Sequence, residues 1–421
     1  MVARLVWDQN VAGSSPVVPT PGRLAQLGEH LVYTQVVGGS IPSSPTKHFN
    51  QFEVFFYGGI AQQVEHTAHI RQVIGSNPIA AKLRLFNFEQ PFFVFTAILS
   101  KEEVIMTPEV FNAPFKGRSL LNWIDWTPEE ITTVLNIALQ VKKEKRAGEV
   151  HQRFLGKSIA LLFEKRSTRT RCSFETAFGE EGGHPVFLSN QDIQLGGKES
   201  IEDTACVLGR MFSAIEFRGF KQEHVELLAK HSGVPVYNGL TDDFHPTQAL
   251  ADIMTLYERF GKLKGLHLVY SGDGRNNVAR SLMLISAKMG INFTVLTPPE
   301  LNPDEEILTI CKPFAKETGA TITVTDKISL VKDADAVYTD VWTSMGEEAL
   351  KEERTRLLSP YQVNCDLMKA ICKPEGIFLH CLPAVKGEEV TTEVFESENS
   401  LIWEQAENRK HTIKAIMLST L

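Results

Sequence analysis

The sequence predicts an α/β fold of two lobes, each a parallel sheet flanked by helices, joined by an interdomain helix and closed by a C-terminal helix that packs back. Three observations carry this. Short β-rich apolar runs recur at a spacing of roughly 20–35 residues, the length of a parallel βαβ unit. Four of them fall before residue 245 and five after residue 265. Between the two groups stands one helix-periodic segment, His245 to Tyr257.

The first lobe takes its strands from 158–163, 185–188, 214–217 and 234–237. The second takes them from 266–270, 293–296, 321–324, 336–339 and 377–379. In the linking segment Pro246 suits a first helical turn, where its missing N–H costs nothing. Leu250, Ile253, Met254 and Tyr257 follow at i, i+3, i+4 and i+7, the stripe of a packed helix. A last helix opens at Glu404, and its Ile413, Ile416, Met417 and Thr420 are placed to pack on the first lobe. Ligands of such folds bind beyond the carboxyl ends of the strands, so chemistry is sought there.

Composition narrows the function. The chain has 421 residues, 43% hydrophobic and 22% charged, which is globular and long enough for two or three cores. A net charge of −8 argues against a general binder of nucleic acid or anionic membrane. No uncharged apolar run reaches the ~18 residues of a spanning helix. The cysteines at 172, 206, 311, 365, 372 and 381 form no C-x-x-C pair, and the histidines show no H-E-x-x-H. No metal is therefore expected. So few cysteines over this length suit free thiols in a reducing, cytoplasmic setting.

Residues 1–105 read differently from the rest. They hold seven basic and seven acidic side chains, so the whole acidic excess belongs to 106–421. They contain no cysteine and sustain neither strand nor helix periodicity. Gly22–His30 recurs imperfectly as Gly58–His66, and Gly39–Pro42 recurs as Gly75–Pro78, both at a shift of 36. Two copies are too few for a stacked repeat core, and no basic stretch leads into an apolar one as a secretory signal requires. The phrases resemble the conceptual translation of tandem transfer-RNA genes. That resemblance implies a segment foreign to the functional chain, which would open at Met106; the alternative is a genuine disordered extension.

The densest chemistry follows the first strand. The apolar run 158–163 leads into Lys165, Arg166, Ser167, Thr168, Arg169, Thr170 and Arg171, and then into a helix carrying Phe174, Ala177 and Phe178. A helix N-terminus offers free N–H groups and a positive dipole end, so it favours a phosphate. Hydroxyls and a guanidinium fork add charge-assisted bonds to the same anion. A Walker loop is absent. In the second lobe 266–270 runs into a turn with Gly272 and Gly274, but the third glycine of a dinucleotide-binding fingerprint is missing. Cys381 follows His380 at another strand end. Adjacency does not make them a nucleophile and base, because neighbouring strand residues point to opposite faces.

Ser167-Thr168-Arg169-Thr170-Arg171, His245-Pro246-Thr247-Gln248, Asp340 with Ser344-Met345-Gly346, and His380-Cys381-Leu382-Pro383 occur in that order. Together they resemble the ornithine carbamoyltransferases of the aspartate/ornithine carbamoyltransferase family. The resemblance spans 106–421 and none of 1–105. It implies a carbamoyl phosphate-binding domain from 106–250 plus 405–421, and an ornithine-binding domain from 251–404. It implies that Ser167, Thr168, Arg169 and Thr170 hold the phosphate. Arg218, His245, Gln248, Cys381, the Leu382 backbone and Arg409 are implied to surround the carbamoyl group. Asn277, Asp340, Ser344 and Met345 are implied to receive ornithine. Arg218, His245, Asp340 and Cys381 are the implied catalytic groups. Gln194 matches a glutamine that reaches a neighbour's carbamoyl phosphate, which implies a homotrimer. The expected reaction joins carbamoyl phosphate and L-ornithine to give L-citrulline and phosphate, with no metal or organic cofactor implied. Putrescine carbamoyl transfer, aspartate carbamoyl transfer and a non-catalytic phosphate- or amino-acid-binding module are the alternatives.

Overall fold

The computed structural model describes residues 113–189, 191–192, 199–343 and 346–421. The extension 1–105, Gln194, Ser344 and Met345 lie outside the described residues. Two all-parallel sheets form. In the first, β1 (Ser158–Phe163), β2 (His184–Ser189), β3 (Ala214–Arg218) and β4 (Val236–Leu240) stand in the order β2-β1-β3-β4. In the second, β5 (His267–Ser271), β6 (Asn292–Leu296), β7 (Ile322–Thr325), β8 (Ala334–Thr339) and β9 (Cys372–His380) stand in the order β7-β6-β5-β8-β9. Each order reverses once, between β1 and β3 and between β5 and β8. Such reversals open a crevice beyond the strand ends, where ligands of parallel sheets bind.

Helices fill the crossovers. In the first lobe these are α1 (Pro128–Ala147), α2 (Thr168–Gly179), α3 (Ile201–Met211) and α4 (Gln222–Ser232). The linking helix is α5 (Pro246–Phe260), with His245 as N-cap and Pro246 in its first turn. Every residue of α5 from Pro246 to Leu256 is buried, so the helix is wedged between neighbours rather than resting on a surface. Trp123 Nε1 donates to the Pro246 carbonyl at 3.0 Å and fixes its start. The second lobe adds α6 (Asn277–Met289), α7 (Glu305–Thr318), α8 (Lys351–Leu358), α9 (Cys365–Ile371) and α10 (Thr392–Phe395).

The last helix, α11 (Ile402–Thr420), starts two residues before its predicted opening and packs on α1, α2 and α5 while touching β9. Ile413, Ile416 and Met417 join the shared core, and Thr420 Oγ1 meets the Tyr237 hydroxyl at 2.7 Å. A polar seam also holds it. Buried Lys142 of α1 reaches Asn408 Oδ1 at 2.7 Å and pairs with Glu258 at 2.8 Å. The chain thus leaves the first lobe at α5 and returns to it at α11.

Most strands depart from their predicted bounds, and two of the departures have a clear physical cause. β4 begins at Val236 rather than 234, because Pro235 has no N–H to donate to the ladder. It then runs on through Asn238 and Gly239, poor strand formers, since Asn238 Nδ2 is held by the Leu121 carbonyl at 2.9 Å. β9 extends back to Cys372 across Pro374 and Gly376. It lies at the sheet edge, where a proline is tolerated.

Candidate functional site

The crevice between β1 and β3 is lined with cations. Ser167 caps α2 by accepting from the Thr170 N–H at 3.2 Å, which starts the helix directly beyond β1. The first helical turn leaves N–H groups without an intrahelical acceptor, and the dipole adds positive potential. Buried Thr170 Oγ1 accepts from Arg218 Nη1 at 3.2 Å and from Arg409 Nη2 at 3.3 Å. Arg218 ends β3, whereas Arg409 arrives from α11. Arg409 also donates to Gln248 Oε1 at 2.6 Å and to Thr247 Oγ1 at 3.3 Å. Burial brings both guanidinium groups down to about 10, with repulsion from Arg409 adding to the effect at Arg218 and repulsion from Arg169 adding to it at Arg409. They stay charged at neutral pH. Arg169 is lowered chiefly by burial, against the opposing pull of Cys381, Asp340 and Tyr338 in the second lobe. Arg169 therefore lies within electrostatic reach of the acidic groups of the other sheet.

His245 stands at the N-terminus of α5, with its backbone N–H on Ser281 Oγ at 2.7 Å. Its ring makes no cap bond and lies 3.4 Å from Thr247 Oγ1. Burial, then Arg409, Arg218 and Arg169, push the imidazole well below its ordinary value. A neutral ring beside three cations can donate one N–H without adding charge.

The second crevice supplies the acid. Asp340 follows β8 and is almost fully buried. Its Oδ1 accepts from the Val341 N–H at 2.8 Å and from Cys381 Sγ at 3.0 Å, and its Oδ2 from Asn276 Nδ2 at 3.1 Å. Burial and then the Asp340 carboxylate hold the Cys381 thiol well above its ordinary range, so it remains an S–H donor. His380 is turned away from duty as its base. Nδ1 accepts from the Leu382 N–H at 2.8 Å, which leaves Nε2–H for Glu389 Oε1 at 3.2 Å. Ligand atoms of Asp340, His380 and Cys381 do lie within 4.8 Å of one another, but both His380 nitrogens are engaged. Leu382 adopts φ 59°, a left-handed conformation that leucine rarely takes. Its turn is braced by that His380–Glu389 pair, which lies wholly out of solvent.

Most of the predicted residues therefore meet. Ser167, Thr168, Arg169, Thr170, Arg218, His245, Gln248 and Arg409 gather at one sheet, and Asp340, Cys381 and Leu382 at the other. Asn277 opens α6 close by, with Nδ2 donating to the Thr241 carbonyl at 2.6 Å.

Residues 118–258 match the family model described as the aspartate/ornithine carbamoyltransferase carbamoyl-P binding domain. Residues 264–420 match the model described as the Asp/Orn binding domain of the same family. The chain belongs to the aspartate/ornithine carbamoyltransferase family.

Among family members, the ornithine carbamoyltransferase of Caldanaerobacter subterraneus subsp. tengcongensis is 64% identical over 307 residues, which cover 73% of this chain and 98% of that protein. That of Pseudothermotoga lettingae is 63% identical over 306 residues, 72% of this chain and 98% of the relative. Among solved structures, the ornithine carbamoyltransferase from Pyrococcus furiosus superposes with a TM-score of 0.70 at 48% identity, covering 72% of this chain and 97% of that one.

Sequence reasoning passed over four groups that shape this cluster. Glu216 is fully buried on β3, with both carboxyl oxygens unpaired. Burial drives it well above the usual carboxylate range, against the opposing pull of Arg218 and Arg409. Gly239 makes room for it, because a Cβ there would lie 1.9 Å from Glu216 Oε1. The available signal was its place two residues before Arg218, on the same strand face. Asn276, next to the predicted Asn277, is the one that reaches Asp340. Asp252 and Gln405, each flanked by apolar or motif residues, lie behind Gln248 and His380.

Proposed function

We propose that this chain transfers the carbamoyl group of carbamoyl phosphate to the δ-amine of L-ornithine, giving L-citrulline and phosphate. The observation that carries the reading is the opposition of two built ends. One is a helix N-terminus with Arg169, Arg218 and Arg409; the other is Asp340 bonded to the Cys381 thiol. The first suits a phosphate dianion and the second suits an amine.

In this reading Ser167, Thr168, Arg169 and Thr170 bind the phosphate. Arg218, neutral His245 and Thr170 donate toward the carbamoyl oxygen, with Gln248, Arg409 and the Leu382 backbone around the rest of the group. An alkylammonium has a pKa near ~10 and must lose a proton before it can attack. Asp340 and Cys381 orient that nitrogen, and Asn277, Ser344 and Met345 receive the amino-acid end. Attack forms a tetrahedral centre whose oxyanion meets donors already in place, and phosphate leaves into a pocket already matched to its charge. Orientation and electrostatic preorganisation supply the acceleration, with no covalent enzyme intermediate. Gln194 serves a neighbour's site in a homotrimer working in the cytoplasm; among the described residues no helix is long and apolar enough to cross a membrane. Citrulline formation compared across ornithine, putrescine and aspartate tests the reading. No turnover of ornithine would end it.

A further inference from the structure

Asp252 sits midway along α5, completely buried, and belongs to neither set of ligand-facing groups. Its Oδ1 accepts two bonds of 2.7 Å. One comes from Gln248 Nε2, a turn earlier on the same helix. The other comes from Gln405 Nε2 of α11. Each amide has its orientation dictated by this. Gln248 must present Oε1 to Arg409 Nη1, 2.6 Å away. Gln405 must present Oε1 to the His380 backbone N–H at the end of β9, 2.9 Å away. Reversing either amide would set NH2 against another donor and leave buried groups unpaired, which is costly in an environment closed to water.

We infer that Asp252 is a positioning residue that holds Arg409 over the anion site and the His380–Leu382 turn in one register, coupling the two lobes through a single carboxylate oxygen. The unbroken path runs from Thr170 through Arg409, Gln248, Asp252 and Gln405 to His380. Asp252 Oδ2 has no partner, so a proton can settle there while Oδ1 goes on accepting both bonds. This rests on the anion-site assignment made under Proposed function.

The test is calorimetric titration of the full-length protein with inorganic phosphate, alongside citrulline kinetics. Asp252→Leu should weaken phosphate binding about tenfold, whereas Asp252→Asn, whose carbonyl can accept the same two bonds, should return within about threefold of the parent. Gln405→Met touches no anion-binding group, yet it should weaken phosphate about threefold, and combined with Asp252→Leu the factors should fall short of multiplying. Unchanged phosphate affinity in Gln405→Met, or full multiplication in the pair, would overturn the coupling. If circular dichroism shows that Asp252→Leu does not fold, Asp252→Asn and Gln405→Met decide the matter by phosphate affinity and by the ratio of their ornithine and carbamoyl phosphate KM changes. A parent that binds phosphate without forming citrulline defeats the proposed function and leaves the coupling standing. Citrulline formation with phosphate affinity unmoved in all three variants does the reverse.

Discussion

The Cys381 thiol donates to Asp340 Oδ1 across 3.0 Å, joining two strand ends that lie 41 residues apart in sequence. A carboxylate at that range suppresses the thiolate, the form that reacts with alkylating agents. Asp340→Asn should therefore speed iodoacetamide labelling of Cys381, read by peptide mass spectrometry, while Cys172, Cys206 and Cys365, all exposed, keep their rates. No acceleration at Cys381 would show that Asp340 does not govern its ionisation.

Arg169→Ala should raise the KM for carbamoyl phosphate and lower kcat, because one guanidinium is lost from a partly enclosed anion site. Truncating a charged partner in such a setting costs roughly 2–5 kcal/mol. Steady-state kinetics with parent-like values would remove Arg169 from the anion site.

The site's legibility from sequence follows from how its residues are distributed. Ser167 to Arg171 could be read directly, since an apolar strand running into alternating hydroxyls and guanidiniums has few other uses in an acidic chain. The linking helix was legible through Pro246 and its apolar stripe. Asp252 was not. It looks like one solvated acid within an apolar helix until the fold brings Gln405 to it from 153 residues away. Glu216 was hidden for a similar reason, because only the β3–β4 pairing reveals that Gly239 is small to admit its carboxyl. The onset of β4 was misplaced because Val234 carries strand propensity that Pro235, lacking an N–H, prevents the ladder from using.

The choice of amine offers a third prediction. Ornithine differs from putrescine by an α-carboxylate, so preferring it requires groups that are left unpaired by the shorter analogue. Sites built that way discriminate by about 10⁴-fold. The parent should show a kcat/KM preference for ornithine of that order, and Asn277→Ala should narrow it by losing ornithine use most. Equal efficiency on both amines would refute ornithine as the acceptor while sparing the carbamoyl phosphate half.

Assembly can be tested by complementation. If Gln194 serves a neighbour's site, mixing inactive Arg169→Ala chains with inactive Gln194→Ala chains should restore part of the activity in hybrids. Hybrids as inactive as both parents would mean that each site draws on one chain.

A fifth prediction concerns pH. Burial raises Asp252 from the ordinary aspartate value of 3.8 to about 7. The folded chain thus binds this proton more tightly than the unfolded chain does. The stability it lends is full below about pH 4 and is lost as the pH rises through about 7. Asp252→Asn does not titrate, so the parent's urea midpoint should fall relative to the variant's across that window. Parallel profiles would show that Asp252 has an ordinary pKa in the folded state.

The return of α11 to the first lobe also bears on the order in which the protein is made. By residue 240 a ribosome has delivered every strand of the first sheet, and by residue 260 the linking helix, yet Arg409 and Gln405 are still to come. A nascent first lobe can fold its sheet but has Gln248 and Thr170 facing a gap where the last helix belongs. Its affinity for phosphate should switch on late, when the final helix docks, so an interrupted synthesis product would be folded in part and blind to its anion.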